Sequence, residues 1–272
     1  MMKHIQLILI LSFGLFYAQN KQFIYEYRSV PDSTDRNTII TEFMVLDINN
    51  AKKSEFYGLE RFKSDSTLLV DSKKGVFSMP PNKEMISDRV IKFPNSNTIN
   101  HIKIFDDKYF VNQEVKLNWK LLNDFKTIMN YKAQKATTEF GGRKWTAWFT
   151  TNIPFQDGPY KFFGLPGLIL EIEDSTNSHH FTLKGVKDSS EEFIYPNLNN
   201  YKEIKVNYPQ FVKVFKTYRI NPAASLIGRI PDYTDSEGNH INGQQKVKEI
   251  EKIRLEKLKK DNNILEIDLL KK

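Results

Sequence analysis

Along residues 22–187, short apolar and aromatic runs alternate with clusters of turn-forming polar residues, which is the texture of antiparallel sheet. Phe23–Tyr27 reads as a first strand, ending before the turn-rich Pro31-Asp32-Ser33. Thr38–Ile48 reads as a second, and its two faces are both apolar, with Ile40, Met44 and Leu46 on one and Phe43 and Val45 on the other. A strand of that kind is expected to be covered on both sides. Three hairpins follow. Residues 98–105 pair with 109–115 around Asp106-Asp107-Lys108, residues 131–140 with 144–150 around Gly141-Gly142, and residues 168–173 with 180–186 across 174–178. The glycine pair can take the positive φ values of a tight turn. Strands that succeed one another with so few long excursions predict a meander.

Helical periodicity is confined to a few places. Residues 59–73 fit one helix, although Ser64, Asp65, Ser66 and Thr67 compete for its backbone hydrogen bonds. Beyond Pro196 the pattern predicts a short helix over 208–218, a loop over 223–243 and a longer helix over 244–260. In the last, Val247, Ile250 and Leu258 share a face, Ile253 and Leu255 flank it, and acids and bases pair three positions apart. That helix is expected to lie over the sheet with its charged face in water. The fold class read from the pattern is mainly β, a β-rich α+β arrangement. Its sheet is curved and antiparallel, open or barrel-like, with a few helices including a C-terminal one.

The N-terminus has a different character. Met1-Met2-Lys3-His4 is followed by an almost unbroken apolar run from Ile5 to Phe16 and then by Tyr17-Ala18-Gln19. This is a signal-peptide pattern, too short for a permanent membrane helix, and it predicts export with cleavage near Ala18. The remaining 19–272 reads as a single domain, β-rich over 22–187 and mixed helix and loop over 188–272. No later apolar run approaches membrane-spanning length, so no transmembrane segment is expected in the mature chain.

Composition narrows the chemistry. The chain of 272 residues contains no cysteine, which excludes thiol nucleophiles, disulfides, zinc–cysteine sites and an acylated N-terminal cysteine. Lys3 is the one charged residue, histidine aside, within 1–18, so 40 basic side chains become 39 against 33 acidic ones after cleavage. That modest excess favours anionic surfaces without defining a site. Acids interrupt every basic run, and no nucleic-acid partner is expected.

The densest motif lies between Asn130 and Asp174. It comprises Tyr131–Ala136, Trp145-Thr146-Ala147-Trp148-Phe149-Thr150, Ile153-Pro154, Asp157-Gly158-Pro159, and Lys161-Phe162-Phe163-Gly164-Leu165-Pro166-Gly167-Leu168-Ile169. Taken together this stretch resembles the central signature of the GLPGLI family of exported bacterial proteins, a family without assigned chemistry. Ala133 departs from the cysteine that the family often carries there. The resemblance implies the periplasm or outer cell envelope of a Gram-negative bacterium. Read physically, Gly164 and Gly167 bracket Leu165-Pro166 as a corner that turns the chain into the strand beginning at Leu168. The hexapeptide Gly164, Leu165, Pro166, Gly167, Leu168, Ile169 contains no acid, base or nucleophile, so it is a structural turn. Around it, Trp145, Trp148, Tyr160, Phe162 and Phe163 are the candidate ligand-binding residues, either lining an apolar pocket or packing as aromatic core. Three positions apart on a strand, Trp145 and Trp148 must face opposite sides.

Conventional catalytic sets are missing from the sequence. His179 and His180 would point to opposite faces of a strand and make a poor metal pair, and exposed turn histidines are the simpler expectation. Glu171 and Glu173 share a strand face without a partner that would mark an acid pair. No nucleophile elbow, phosphate loop or dinucleotide fingerprint occurs, so no catalytic residue, metal or cofactor is expected. Three functional readings remain. The first is noncatalytic binding of an apolar ligand, a lipid or peptide, in a concave sheet resembling the lipoprotein-carrier half-barrels. The second is an accessory or structural partner of an outer-membrane receptor or transport system, and the third is an envelope hydrolase.

Overall fold

The computed structural model describes residues 20–271 apart from 50–52, 82, 84, 95, 105–106, 190–192 and 199–202. The expected signal peptide, residue 106 of the first hairpin turn and that hairpin's flanking residue 105 lie outside the described residues. The first half of the chain forms β1 (Asn20–Ser29), β2 (Ile40–Asn49), β3 (Lys53–Gly58), α1 (Leu59–Lys73), β4 (Arg89–Lys92), β5 (Asn97–Ile104) and β6 (Asp107–Glu114). The second half forms β7 (Lys120–Ile128), β8 (Tyr131–Phe140), β9 (Arg143–Thr150), β10 (Leu168–Asp174), β11 (His179–Ser189), β12 (Glu203–Asn207), α2 (Tyr208–Ile220), a small hairpin of β13 (Tyr233–Thr234) and β14 (His240–Ile241), and α3 (Gly243–Lys260). A 3-10 turn at Ile267–Leu270 ends the described chain.

Twelve strands make one sheet in the order β12-β6-β5-β4-β3-β2-β1-β11-β10-β9-β8-β7. It is two meanders joined at the β1–β11 seam, where Asn20–Ser29 runs antiparallel to His179–Ser189. One correction to the antiparallel expectation is β12, which lies parallel to β6. The sheet is mixed and open, with free edges at β12 and β7. The strands that the sequence pattern missed, β3, β4, β7 and β12, are short or carry charges along their exposed positions. The expected loop over 223–243 holds the β13–β14 hairpin and a 3-10 turn at Ala224–Leu226.

Connectivity shows that this sheet is strongly curled. β6 and β7 are ten inter-strand spacings apart along it, about 48 Å if it were flat. Residues 115–119 join them, and that length of extended chain spans only roughly 20 Å. The two strands can be that close only if the sheet rolls up on itself. The connector is fastened across the opening: Val115 N–H donates to Ser96 O (3.0 Å), and Trp119 Nε1 donates to Phe163 O (2.8 Å).

The inner face of the curl carries the main core, in which Tyr25, Phe56, Phe149, Phe162 and Phe181 are fully buried. On the outer face α1 covers β2 and β3, with Tyr57 and Phe62 packed together. From Met44 onward β2 is therefore buried on both sides, as its doubly apolar pattern predicted. A second, smaller core forms where α2 packs on β5 and β6 through Phe211, Val111, Ile104 and Tyr109. The expectation for α3 needs correcting: it packs against α2 and the following tail, where Arg219 bonds Asp261 Oδ2 (3.0 Å) and Leu258 O (2.8 Å), and Arg254 bonds Pro222 O (2.7 Å).

The chain passes through the hexapeptide into β10, which begins at Leu168. Gly167 sits at φ +149°, and a Cβ there would lie 2.0 Å from Thr150 O, so no side chain fits. Gly164 has φ +89° with open space around its Cα. Leu165, Leu168 and Ile169 are buried, and Leu168 N–H and Ile169 N–H tie back to Ile153 O and Asp157 O at 3.1 and 3.0 Å. Gly167→Ala is therefore expected to destabilise the protein by roughly 3 kcal/mol or more, and Gly164→Ala, which pays only for its φ, by about 1–2 kcal/mol. Urea unfolding of the two variants beside the wild type measures the difference.

Candidate functional site

The curl does not fill completely. Between its inner face, α2 and the C-terminal tail lies a cavity of about 390 Å³. Ile40, Met44, Val90 and Ile102 from the strands form one wall, and Phe211 and Phe215 of α2 face them. The polar end is built by Tyr160 and Lys161 from the corner segment, His179 from β11, Asp88 from the approach to β4, and Asn263 and Glu266 from the tail. Asn100 also lines the cavity, and its Oδ1 is buried without a hydrogen-bond partner among the described residues. Such an acceptor costs free energy unless something donates to it.

Lys161 and Glu266 dominate the polar end. They form a fully buried ion pair, and Lys161 also reaches Gln113 Oε1 (2.6 Å). Tyr160 and Tyr208 donate their hydroxyls to Glu266 at 2.6 and 2.9 Å. Burial alone would raise the Glu266 carboxyl, but the attraction of Lys161 and these three hydrogen bonds outweigh it and hold the group below its ordinary value. The backbone is bent to achieve this, since Tyr160 sits at φ +53°, a left-handed conformation costly for an aromatic residue.

A second network pins the tail. Arg143 Nη1 pairs with Asp174 Oδ2 (2.9 Å), and its Nη2 donates to Asn263 Oδ1 (2.6 Å) and Ile264 O (2.7 Å). Asn263 Nδ2 donates in turn to Val30 O (2.8 Å). Gly141 and Gly142, at the β8–β9 turn, let the tail approach closely, because a Cβ on either would meet Glu266 or Asp268 at 2.9–3.0 Å. His179, expected as an exposed turn residue, is buried in this network. Its Nε2 faces Asn263 O (2.8 Å) and its Nδ1 faces the Tyr27 hydroxyl (2.7 Å). A carbonyl can only accept, so the proton is on Nε2, and Nδ1 accepts from Tyr27. Burial and then the charge of Arg143 push its pKa down to about 4, keeping the ring neutral.

Both His179 nitrogens are engaged, so it cannot serve as a general base without dismantling the network. Glu171 and Glu173 lie on the outer face of β10, where Glu171 binds Lys126 (2.7 Å) and is near His180 (3.5 Å). Among the described residues, no group of three or more metal-binding side chains converges and no helix is long and apolar enough to cross a membrane.

The five aromatic candidates separate. Tyr160 alone lines the cavity. Trp145 and Phe162 are packed against each other in the core, with ring centroids 4.7 Å apart. Trp148 points outward, as its offset from Trp145 required, and lies under Lys126 at 4.5 Å. Phe163 is half-buried near Lys92 and Asp157, on a separate depression of about 410 Å³ outside the cavity. Lys161, Asp88, Glu266 and the α2 aromatics were not singled out by the sequence, and His179 entered it only as one of an adjacent histidine pair expected in an exposed turn. The one available signal was Lys161, a lysine embedded in an otherwise apolar motif.

Residues 141–171 match the profile of a family described as "Protein of unknown function (Porph_ging)". No curated protein matches the sequence. Among solved structures, PNGF-II in two crystal forms overlays with TM-scores of 0.51 and 0.50 at 14% and 13% identity, covering 74% of this chain and 34% of that one. The chain thus spans about a third of the length of PNGF-II, and the likeness is one of fold. A domain described as an outer membrane lipoprotein-sorting protein from Vibrio parahaemolyticus overlays at 7% identity over 64% of this chain and 87% of that one; the TM-score of 0.23 is too low to define a shared fold.

Two outcomes follow from the networks. Lys161→Met, which leaves Glu266 buried without its cation, is expected to cost roughly 3–5 kcal/mol in chemical denaturation. His179 binds protons more weakly folded than unfolded, so its own contribution to stability is expected to fall as pH drops from about 6.5 towards about 4, while the raised carboxyl of Asp88 contributes in the opposite direction below about 6. Glu266 adds a further loss as pH falls below 4.5 and through its lowered folded value. Unfolding free energies of the wild type and His179→Gln measured from pH 7 to 4 check the His179 contribution, because the stability of the wild type relative to the variant is expected to fall over that range.

Proposed function

We propose that this chain is an exported, GLPGLI-type envelope protein, working in the periplasm or on the outer envelope, that binds an apolar ligand without catalysis. The observation that carries this reading is the cavity, whose volume of about 390 Å³ falls within the range of small-molecule sites. Its charges are largely spent on one another: Lys161 cancels Glu266, Arg219 engages Asp261, and His179 is neutral. What faces an entering molecule is an apolar wall with a few polar groups at one end. That suits a lipid chain, or the side chains of an apolar peptide, with a single polar group to orient it.

Asp88 is the exception to this internal neutralisation. Its side chain is exposed where it lines the cavity. Partial desolvation by the surrounding protein raises its carboxyl to about 6, with Lys161 opposing the shift and Asp261 and Glu266 adding to it. Its charge is therefore lost on mild acidification.

A second reading, an accessory partner of an outer-membrane receptor or transport system, is favoured by the segment after α1. There Phe77 and Met79 are 89% and 77% exposed. Side chains so apolar are suited to burial against another protein.

The test of the first reading is native mass spectrometry of protein purified from its own envelope, with solvent extraction of whatever is released. A reproducible apolar molecule, absent from an Ile102→Trp variant that still folds, supports it. Protein that is empty, and that fails to take up the fluorophore N-phenylnaphthylamine, sinks it and turns attention to cross-linking through Phe77. If the fluorophore binds, its affinity is expected to rise severalfold as pH falls from 7 to 5, because neutral Asp88 no longer opposes apolar occupancy. Asp88→Asn is expected to bind tightly at both pH values.

A further inference from the structure

Across β5 from the cavity, with Ile102 and Lys103 bordering both, the outer faces of β4, β5 and β6 meet α1 around a second pocket of about 60 Å³. Among the described residues that line it, four are cationic, Arg61, Arg89, Lys103 and Lys108, against the single carboxylate Asp65. Ser87 and Tyr195 complete the wall with hydroxyl groups. We infer that this pocket binds a phosphate group.

Two of the cations, Arg61 and Arg89, are held in place by specific partners. The Arg89 guanidinium stacks on the Tyr195 ring at 4.3 Å, its Nη1 reaches Glu55 Oε2 (3.3 Å), and its Nη2 donates to His101 Nδ1 (2.8 Å). Arg61 Nε donates to Asp65 Oδ2 (3.1 Å), and Asp65 also accepts from the Tyr195 hydroxyl (3.2 Å). Lys108 has no carboxylate within ion-pair distance among the described residues, and its ammonium lies 5.8 Å from the Phe110 ring. The acids nearby, Glu55, Asp65 and Glu203, leave the positive charge in excess. Burial and then repulsion by Arg89 lower the Lys108 pKa, and burial with both cations pushes His101 down to about 3. Neutral His101 can accept from Arg89 without adding a fifth positive charge. An oxyanion would relieve the crowding, and a tetrahedral one matches the multiple donors converging from different sides. The pocket is small, about 60 Å³, which suits a phosphate group better than a whole nucleotide. The group could reach it as free phosphate or as the headgroup of an anionic lipid, and the chemistry of recognition is the same.

The experiment is calorimetric titration of the purified full-length mature protein with inorganic phosphate in low-chloride buffer. Alongside it, the protein is co-sedimented with phosphatidylglycerol vesicles and with phosphatidylcholine vesicles. Saturable phosphate binding is expected, weakened about tenfold in Lys108→Ala and retained in Lys108→Arg, with the His101 ring resonances shifting as phosphate is added. Binding to phosphatidylglycerol over phosphatidylcholine that Lys108→Ala loses, without uptake of free phosphate, supports the site and names the headgroup as its source. Absence of both, or binding that Lys108→Ala leaves undiminished, overturns it. Should Lys108→Ala fail to fold, the His101 resonances of the wild-type protein decide, since unchanged signals at saturating phosphate place any binding elsewhere.

Discussion

A connector of five residues between two strands at opposite ends of a run of eleven is the constraint on which the molecule depends. It forbids a flat sheet, because the chain is too short to span one, and so it creates an inside. Once the sheet is curled, the inward-facing aromatic residues of both meanders meet, and the seam between β1 and β11 becomes the middle of the wall. The corner segment then enters the curl. Its Phe163 carbonyl receives Trp119 from the connector, so the family-like motif and the element that imposes the curvature hold each other.

The interior that results is too large for the β-sheet's own side chains to fill, and the chain closes it with α2 and the C-terminal tail. An irregular tail brought into an interior must satisfy its backbone and side-chain polar groups there. Arg143, Asn263 and His179 do this at one point, and Lys161 with Glu266 at another. Buried ion pairs seldom add net stability over apolar packing, yet they are intolerant of misplacement, which suits a device that sets one position for the tail. The cavity left between tail and sheet is a product of this polar fastening, since an apolar tail would be free to collapse onto the wall.

Much of the architecture is legible along the chain because it rests on local rules. The alternation in β8 and β9, the glycine pair between them and the doubly apolar run in β2 each specify their own structure. Short strands such as β4, four residues long, and the charged edge strand β7 were not legible, because pairing with neighbours distant in sequence makes them strands. The aromatic cluster at 145–163 was visible as a cluster, but its partition into core, outer surface and cavity was not. A strand's alternation says that Trp145 and Trp148 oppose each other and not which face becomes the inside.

The sequence by itself determined a mainly β chain with a glycine-hinged corner and a C-terminal helix, and it removed thiol chemistry from consideration. These are consequences of periodicity, of backbone sterics and of the side chains present. Tertiary structure alone decided that α3 lies on α2 and that Lys161 finds Glu266 across 105 positions. It also decided that Arg61, Arg89, Lys103 and Lys108 gather from four elements around one pocket. Electrostatic and cavity-forming interactions act through space with no period along the chain, so nothing in the order of residues announces them before the fold brings the partners together.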